Sequence, residues 1–246
     1  MNEDRFIIEI SGNDWQVIFA LSCATLGFMA YQSITEKKRL AYQKNSNGYW
    51  PANTRLILFQ RLYGVLFFGL LPLLANSFFK LANLNSLGLG FQNFEKSLFW
   101  PAVLFLPIVI FNYMIANKPA NLAKYPQIDA RQWTPGLLAL SGLSWLAYLL
   151  AYETLFRGVL FLPVASILGP SIAIAINVAV YALVHLPKGM AETVASIPFG
   201  LVLCFITYST GTIWAAFLLH ATLALTNEWL SIYRHPDMKF VKSNKP

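Results

Sequence analysis

Seven apolar runs, most of them close to the length of helix that crosses a bilayer, dominate this chain. They occupy residues 15–34, 57–79, 98–116, 136–162, 169–187, 193–209 and 211–231. A helix needs about 20 such residues to cross about 30 Å of hydrocarbon. The runs are continuous rather than alternating, which selects helices over a membrane barrel. In hydrocarbon a backbone must satisfy its own N–H and C=O groups, so runs of this kind form a helical bundle. Composition agrees. The chain is 57% hydrophobic and 12% charged, with a mean hydropathy of +0.52, against about 25% charged in a soluble domain. The expected fold is all-α, a polytopic transmembrane helical bundle of seven spans. It becomes eight if the fourth run splits at Gly142, or if a half-helix forms near Phe91 to Phe99. Pro135 is well placed to open the fourth span and Pro163 to stop it. Within one integrated bundle, residues 1–135 supply N-terminal helices, 136–231 a core, and 232–246 a basic tail.

The net charge is +7, and its distribution matters more than its size. Basic residues gather between the runs, at Lys37, Lys38, Arg39, Lys44 and Arg55, at Lys118, Lys124 and Arg131, at Lys188, and in the tail at Arg234, Lys239, Lys242 and Lys245. Arg61 lies just inside the second run, from which it is expected to snorkel back to the same surface. The positive-inside rule then puts the acidic N-terminus outside and the C-terminus in the cytoplasm of a plasma membrane. No basic patch interleaves with exposed aromatics, so nucleic acid is excluded as a partner and lipid is expected. No signal peptide is expected, since the stretch Met1 to Asp14 is acidic and shows no cleavage site. Cys23 and Cys204 fall inside runs and read as small buried hydrophobes.

Against this background the polar residues inside the runs stand out. Glu153 and Arg157 lie four apart and share a helix face. An ionised side chain at bilayer depth costs about 3 kcal/mol on insertion scales, so such a pair is neutralised, faces a wet cavity, or does chemistry. Tyr181 and His185 share a face of the fifth run, with Asn177 one turn before. His220 lies in the last run, with Asn227 two turns on and Glu228 beside it. Trp145, Tyr148 and Tyr152 climb the fourth run at spacings of three and four, and read as packing. Taken singly, each group has a structural explanation as an ion pair, a core histidine or an interhelical hydrogen bond.

Their order along the chain is more specific. Glu153-Thr154-Leu155-Phe156-Arg157-Gly158, then Tyr181-Ala182-Leu183-Val184-His185-Leu186-Pro187, then Gly211-Thr212-Ile213-Trp214 leading to His220-Ala221, resembles the CPBP (Abi, CAAX protease) family of intramembrane proteases. That family includes CAAX endopeptidases and bacterial bacteriocin-processing or immunity proteins. The resemblance spans residues 145–230. Two positions depart from the family pattern. Tyr152 stands where a first glutamate is usual, and Ala224 where an asparagine follows the last histidine, leaving Asn227 one turn late.

The resemblance implies an endopeptidase acting on peptides or proteins in a bacterial membrane. Glu153 serves as base, His185 and His220 hold the water, and Arg157 positions Glu153 or binds a substrate carboxylate. Tyr152, Tyr181, Asn177 and Asn227 support them. A divalent metal such as zinc, held by His185 and His220, is left open. So is a second reading, in which the two departures mark a non-catalytic relative serving bacteriocin immunity or scaffolding. A transporter is a third reading, disfavoured by the lack of inverted repeats. The sequence does not fix an oligomeric state.

Overall fold

The computed structural model describes residues 11–45 and 53–242. Met1 to Ile10 and Lys245 therefore lie outside the described residues. Eight helices follow in order: α1 Gly12–Asn45, α2 Thr54–Phe79, α3 Phe94–Ile115, α4 Pro119–Leu122, α5 Pro135–Leu168, α6 Pro170–Leu183, α7 Met190–Thr210 and α8 Trp214–Arg234. Among the described residues, six helices are long and apolar enough to cross a membrane. α8 has comparable length but carries His220, Asn227 and Glu228, and is not among them. The polytopic helical bundle is as expected. Two short strands, β1 Gln132–Trp133 and β2 Lys239–Phe240, pair in parallel and tie the tail to the start of α5.

The helix ends follow local chemistry. Ser11 caps α1 by accepting from the Asp14 N–H at 3.2 Å, while the Asp14 carboxylate accepts the Ser11 N–H at 2.9 Å, a reciprocal cap. Thr134 caps α5 through the Leu137 N–H at 3.1 Å, with Pro135 in the first turn. α1 runs further than expected, so Lys37, Lys38 and Arg39 are helical rather than in a loop. The residues there are good helix formers, and Arg39 grips Glu36 at 2.6 Å.

Pro163 does not end the fourth span. Residues Thr154–Phe161 form a π-helical stretch, and α-helix resumes from Leu162 to Leu168. The missing proline N–H falls where hydrogen bonding changes from i−5 to i−4, so the ring meets no standing ladder. The break comes instead at Gly169, whose φ of +84° suits glycine, followed by Pro170. Gly142 lies inside unbroken helix, and Phe94 simply opens α3. Neither expected source of an extra span forms a separate element.

The π stretch sits at the centre of the bundle, every residue in it buried. Ala20 and Ala24 of α1, Phe68 of α2, and Ala173, Val178 and Tyr181 of α6 close around it. Gly158 lets the Leu87 backbone come close, since an added Cβ would stand 2.9 Å from the Leu87 carbonyl oxygen. Gly158→Ala is expected to destabilise the bundle by about 1–3 kcal/mol through overpacking. A thermal-unfolding scan in detergent checks this, and an unchanged midpoint contradicts it. The outer faces expose large hydrophobics such as Phe78, Phe99, Leu143 and Tyr233, as lipid contact requires.

Candidate active site

α5 carries the central acid. Glu153 closes its first α-helical stretch and Arg157 lies one turn on in the π stretch. Both side chains are 0% exposed, and Arg157 Nε is 3.6 Å from Glu153 Oε2. Arg157 remains charged under all ordinary conditions, so the carboxylate beside it balances a cation sealed from solvent. Arg157 Nη1 donates to Asn177 Oδ1 at 3.2 Å, and the guanidinium lies over the Tyr181 ring at 4.7 Å. Asn177 Nδ2 in turn donates to the Phe156 carbonyl at 2.6 Å, satisfying an acceptor of the π stretch. Its Oδ1 also accepts from Cys204 Sγ at 3.2 Å. Asn177 thus couples α5, α6 and α7 around the ion pair.

The second oxygen of Glu153 belongs to α8. His220 Nδ1 is 2.6 Å from Glu153 Oε1. A carboxylate only accepts, so Nδ1 is the donor, and in the tautomer this selects the lone pair lies on Nε2. His185 reaches the same state by another route. Regular helix ends at Leu183, because Pro187 cannot continue it, and His185 lies on the turn beyond. Its ring nonetheless stays on the face of Tyr181, as the sequence suggests, with the two ring centroids 4.7 Å apart. It folds back so that Nδ1 meets the Tyr181 carbonyl at 2.7 Å. A carbonyl accepts only, so here too Nε2 is bare. Among the described residues, no hydrogen bond engages Nε2 of either ring.

Both imidazoles line one cavity of about 450 Å³, together with Tyr152 and Tyr181. The Tyr152 ring centroid lies 5.6 Å from that of His220 and 6.4 Å from that of His185, so it stands between them. Its hydroxyl is buried and has no protein partner. The rest of the wall is largely apolar, with Leu149, Phe199, Leu223 and Ala224. Lys118, Lys124 and Lys188 mark the polar end, where Lys124 pairs with Glu192 at 3.0 Å. Burial pushes the nearby Tyr125 phenol well above its ordinary range, so that wall residue is a neutral donor.

Glu153, Arg157 and Asn177 are fully buried and do not reach the cavity. They act behind His220, which is 14% exposed. Asn227 lines the far end of the cavity, where its Nδ2 donates to Asn121 Oδ1 at 3.2 Å. Seven residues of helix, about 10 Å, separate it from His220. The geometry thus brings Tyr152, Glu153, Arg157, Asn177, Tyr181, His185 and His220 together and leaves Asn227 apart.

The same geometry bears on a metal. Glu153 Oε1 is held by His220, and Oε2, 3.6 Å from Arg157 Nε, has no hydrogen-bond partner but lies off the cavity, which leaves two imidazole nitrogens as donors there. Among the described residues no three His, Cys, Asp or Glu side chains converge, whereas a catalytic zinc takes three protein ligands and a water. The donor set falls short of such a site, and no step below runs through a metal.

A second buried pair lies below the first. Arg61 is 3% exposed and does not snorkel. Its Nη2 is 3.6 Å from Glu228 Oε1, and its Nη1 donates to the Ser141 carbonyl at 2.9 Å and to Ser144 Oγ at 2.8 Å. Its guanidinium stacks on Trp145 at 4.4 Å. With these partners inside the bundle, reaching the surface would strand Glu228 in a closed interior.

Comparison with known proteins bears on the same segment. Residues 132–226 match the family model described as type II CAAX prenyl endopeptidase Rce1-like. No curated protein and no solved structure matches the chain. The match takes in Tyr152, Glu153, Arg157, Asn177, Tyr181, His185 and His220, and stops one residue short of Asn227. Residues 132–226, which carry both histidines of the cavity, thus match the CPBP/CAAX protease family.

Proposed function

We propose that this protein is an integral membrane endopeptidase whose hydrolytic water is activated by His220. The observation that carries this is the 2.6 Å contact of Glu153 with His220 Nδ1, which turns a bare Nε2 toward a cavity shared with His185 and Tyr152. A carboxylate behind an imidazole fixes its tautomer and stabilises the imidazolium that forms on proton uptake. In this reading His220, not Glu153, is the base, since Glu153 has no face on the cavity.

The steps then follow. Water held between the two Nε2 atoms attacks the peptide carbonyl carbon, and its proton passes to His220 Nε2. The carbonyl oxygen gains negative charge and accepts a hydrogen bond from the otherwise unpartnered Tyr152 hydroxyl. The C–N bond breaks, and the leaving nitrogen takes the proton back from His220. Arg157 and Asn177 hold Glu153 in place. The apolar wall suits a membrane-associated chain. With the lysine-bearing end facing the cytoplasm, as positive-inside orientation requires, cleavage occurs near that surface.

The test is hydrolysis of quenched membrane-anchored peptides by the purified protein in lipid. His185→Ala is expected to lower kcat by about 10²-fold with KM little changed, the scale of one positioned proton-handling group. An unchanged kcat removes His185 from the mechanism. A second reading, a non-catalytic relative that binds a partner, is favoured by Tyr152 and Ala224 at positions where the family usually has glutamate and asparagine. It predicts no cleavage of any peptide, and loss of stability or partner binding alone in the His185 and His220 variants.

A further inference from the structure

The site borders a second cavity of a different character. It measures about 470 Å³ and lies between the end of α1, the start of α2 and the turn after α6. Its outer wall is polar, formed by Gln32, Thr35, Glu36, Arg39, Gln60 and Gln127. Its inner end is Tyr152 and His185, which also line the first cavity. Trp145 and Tyr148 stand in both walls as well. The aromatic stripe that the sequence suggests is packing is therefore also the septum between a largely apolar cavity and a polar one.

Two of the three cations on the wall of the polar cavity are already held, the third being Lys188. Arg39 is held by Glu36 at 2.6 and 2.8 Å, and both Nη atoms of Arg61 are engaged by Ser141, Ser144 and Gln127. What remains is a roomy space with neutral amides at its rim and Lys188 where it nears the first cavity. Two buried polar groups on its wall, Tyr152 Oη and Arg61 Nε, lack a protein partner. Buried polar groups are as a rule hydrogen-bonded, and a cavity of this size has room for about fifteen waters at about 30 Å³ each.

We propose that this polar cavity is a second, water-filled entrance to the site, opening at the charged end of the bundle and separate from the cavity that takes the substrate. Its role in turnover rests on the proposed function. A substrate filling the apolar cavity displaces solvent from it, and each hydrolysis consumes one water. An entrance behind the septum supplies that water past Tyr152 and His185 while the substrate stays in place.

Single cysteines at Gln32, Gln60 and the outward-facing Leu26, which is 62% exposed, test this in the full chain carrying Cys23→Ala and Cys204→Ser. The protein is reconstituted in vesicles and treated with a cationic methanethiosulfonate on both faces. Such reagents need a hydrated thiolate, so Gln32→Cys and Gln60→Cys are expected to react at least about tenfold faster than Leu26→Cys. Equal rates overturn the proposal. Because the adduct is added after folding, it also serves as a removable plug. Turnover is expected to fall on modification of Gln60→Cys and to return on reduction with a thiol. An active protein whose kcat ignores the adduct overturns the water-supply role. A protein that hydrolyses no membrane peptide before labelling sinks the proposed function, while the labelling contrast still decides whether the entrance is wet.

Discussion

His220→Ala is expected to lower kcat for membrane-peptide hydrolysis by about 10²–10⁴-fold, the range for losing a general base, with little change in KM. The imidazole is the group that both contacts the buried acid and reaches the cavity. Glu153→Gln is expected to cost as much, by about 10⁴-fold where a carboxylate–imidazole pair sets the tautomer. The amide of glutamine can donate to Nδ1, which moves the ring proton to Nε2 and removes the lone pair that takes the proton from water. Single-turnover kinetics on correctly folded fractions separate this from loss of protein. If both variants keep the parent kcat, the Glu153–His220 pair is structural and the assignment of the base is wrong.

The second large effect is on stability. Arg157→Met leaves Glu153 ionised, fully buried and without its cation, and breaking a buried pair from one side costs about 3–5 kcal/mol. The guanidinium also donates to Asn177 and lies over Tyr181, so Arg157→Lys is not a conservative exchange. Adding Glu153→Gln to Arg157→Met is expected to recover much of the loss, because a neutral buried pair lacks the stranded charge. Unfolding free energies of the two single variants and the double form a cycle that reads this coupling. Additive losses across the cycle contradict the pairing.

The fold was readable because its cause is simple. Long apolar runs in hydrocarbon leave the backbone one solution, and the helices of α2, α5, α6 and α7 appear close to their expected places. Less readable were features set by one hydrogen bond or one turn. The π stretch Thr154–Phe161 lets α5 pass Pro163, and no periodicity in the sequence announces it. His185 sits on the turn where regular helix gives way ahead of Pro187, with Nδ1 on the Tyr181 carbonyl, a local contact that spacing rules do not show. The Arg61–Glu228 pair, by contrast, left a signal. The seven apolar runs contain two acids, Glu153 and Glu228, and two strong bases, Arg61 and Arg157. Once Glu153 and Arg157 are matched at i, i+4, the remaining two have only each other. The rule that a residue near a span end can snorkel points Arg61 to the surface instead. The convergence of Glu153 with His220 depends on α5 and α8 packing side by side, which motif order suggests and only coordinates can measure.

The proposed chemistry requires both imidazoles to be anchored through Nδ1 and to present an unprotonated Nε2 to one cavity. Nitrogen-15 NMR of histidine-labelled protein in lipid near neutral pH reads this directly, with His185→Gln and His220→Gln used to assign the rings. A proton on Nδ1 and a bare Nε2 are expected for both residues, with the His220 Nδ1 proton shifted far downfield by the short bond to Glu153. A proton on Nε2 of His220 in the resting protein would contradict it, because that ring could then take no proton from water.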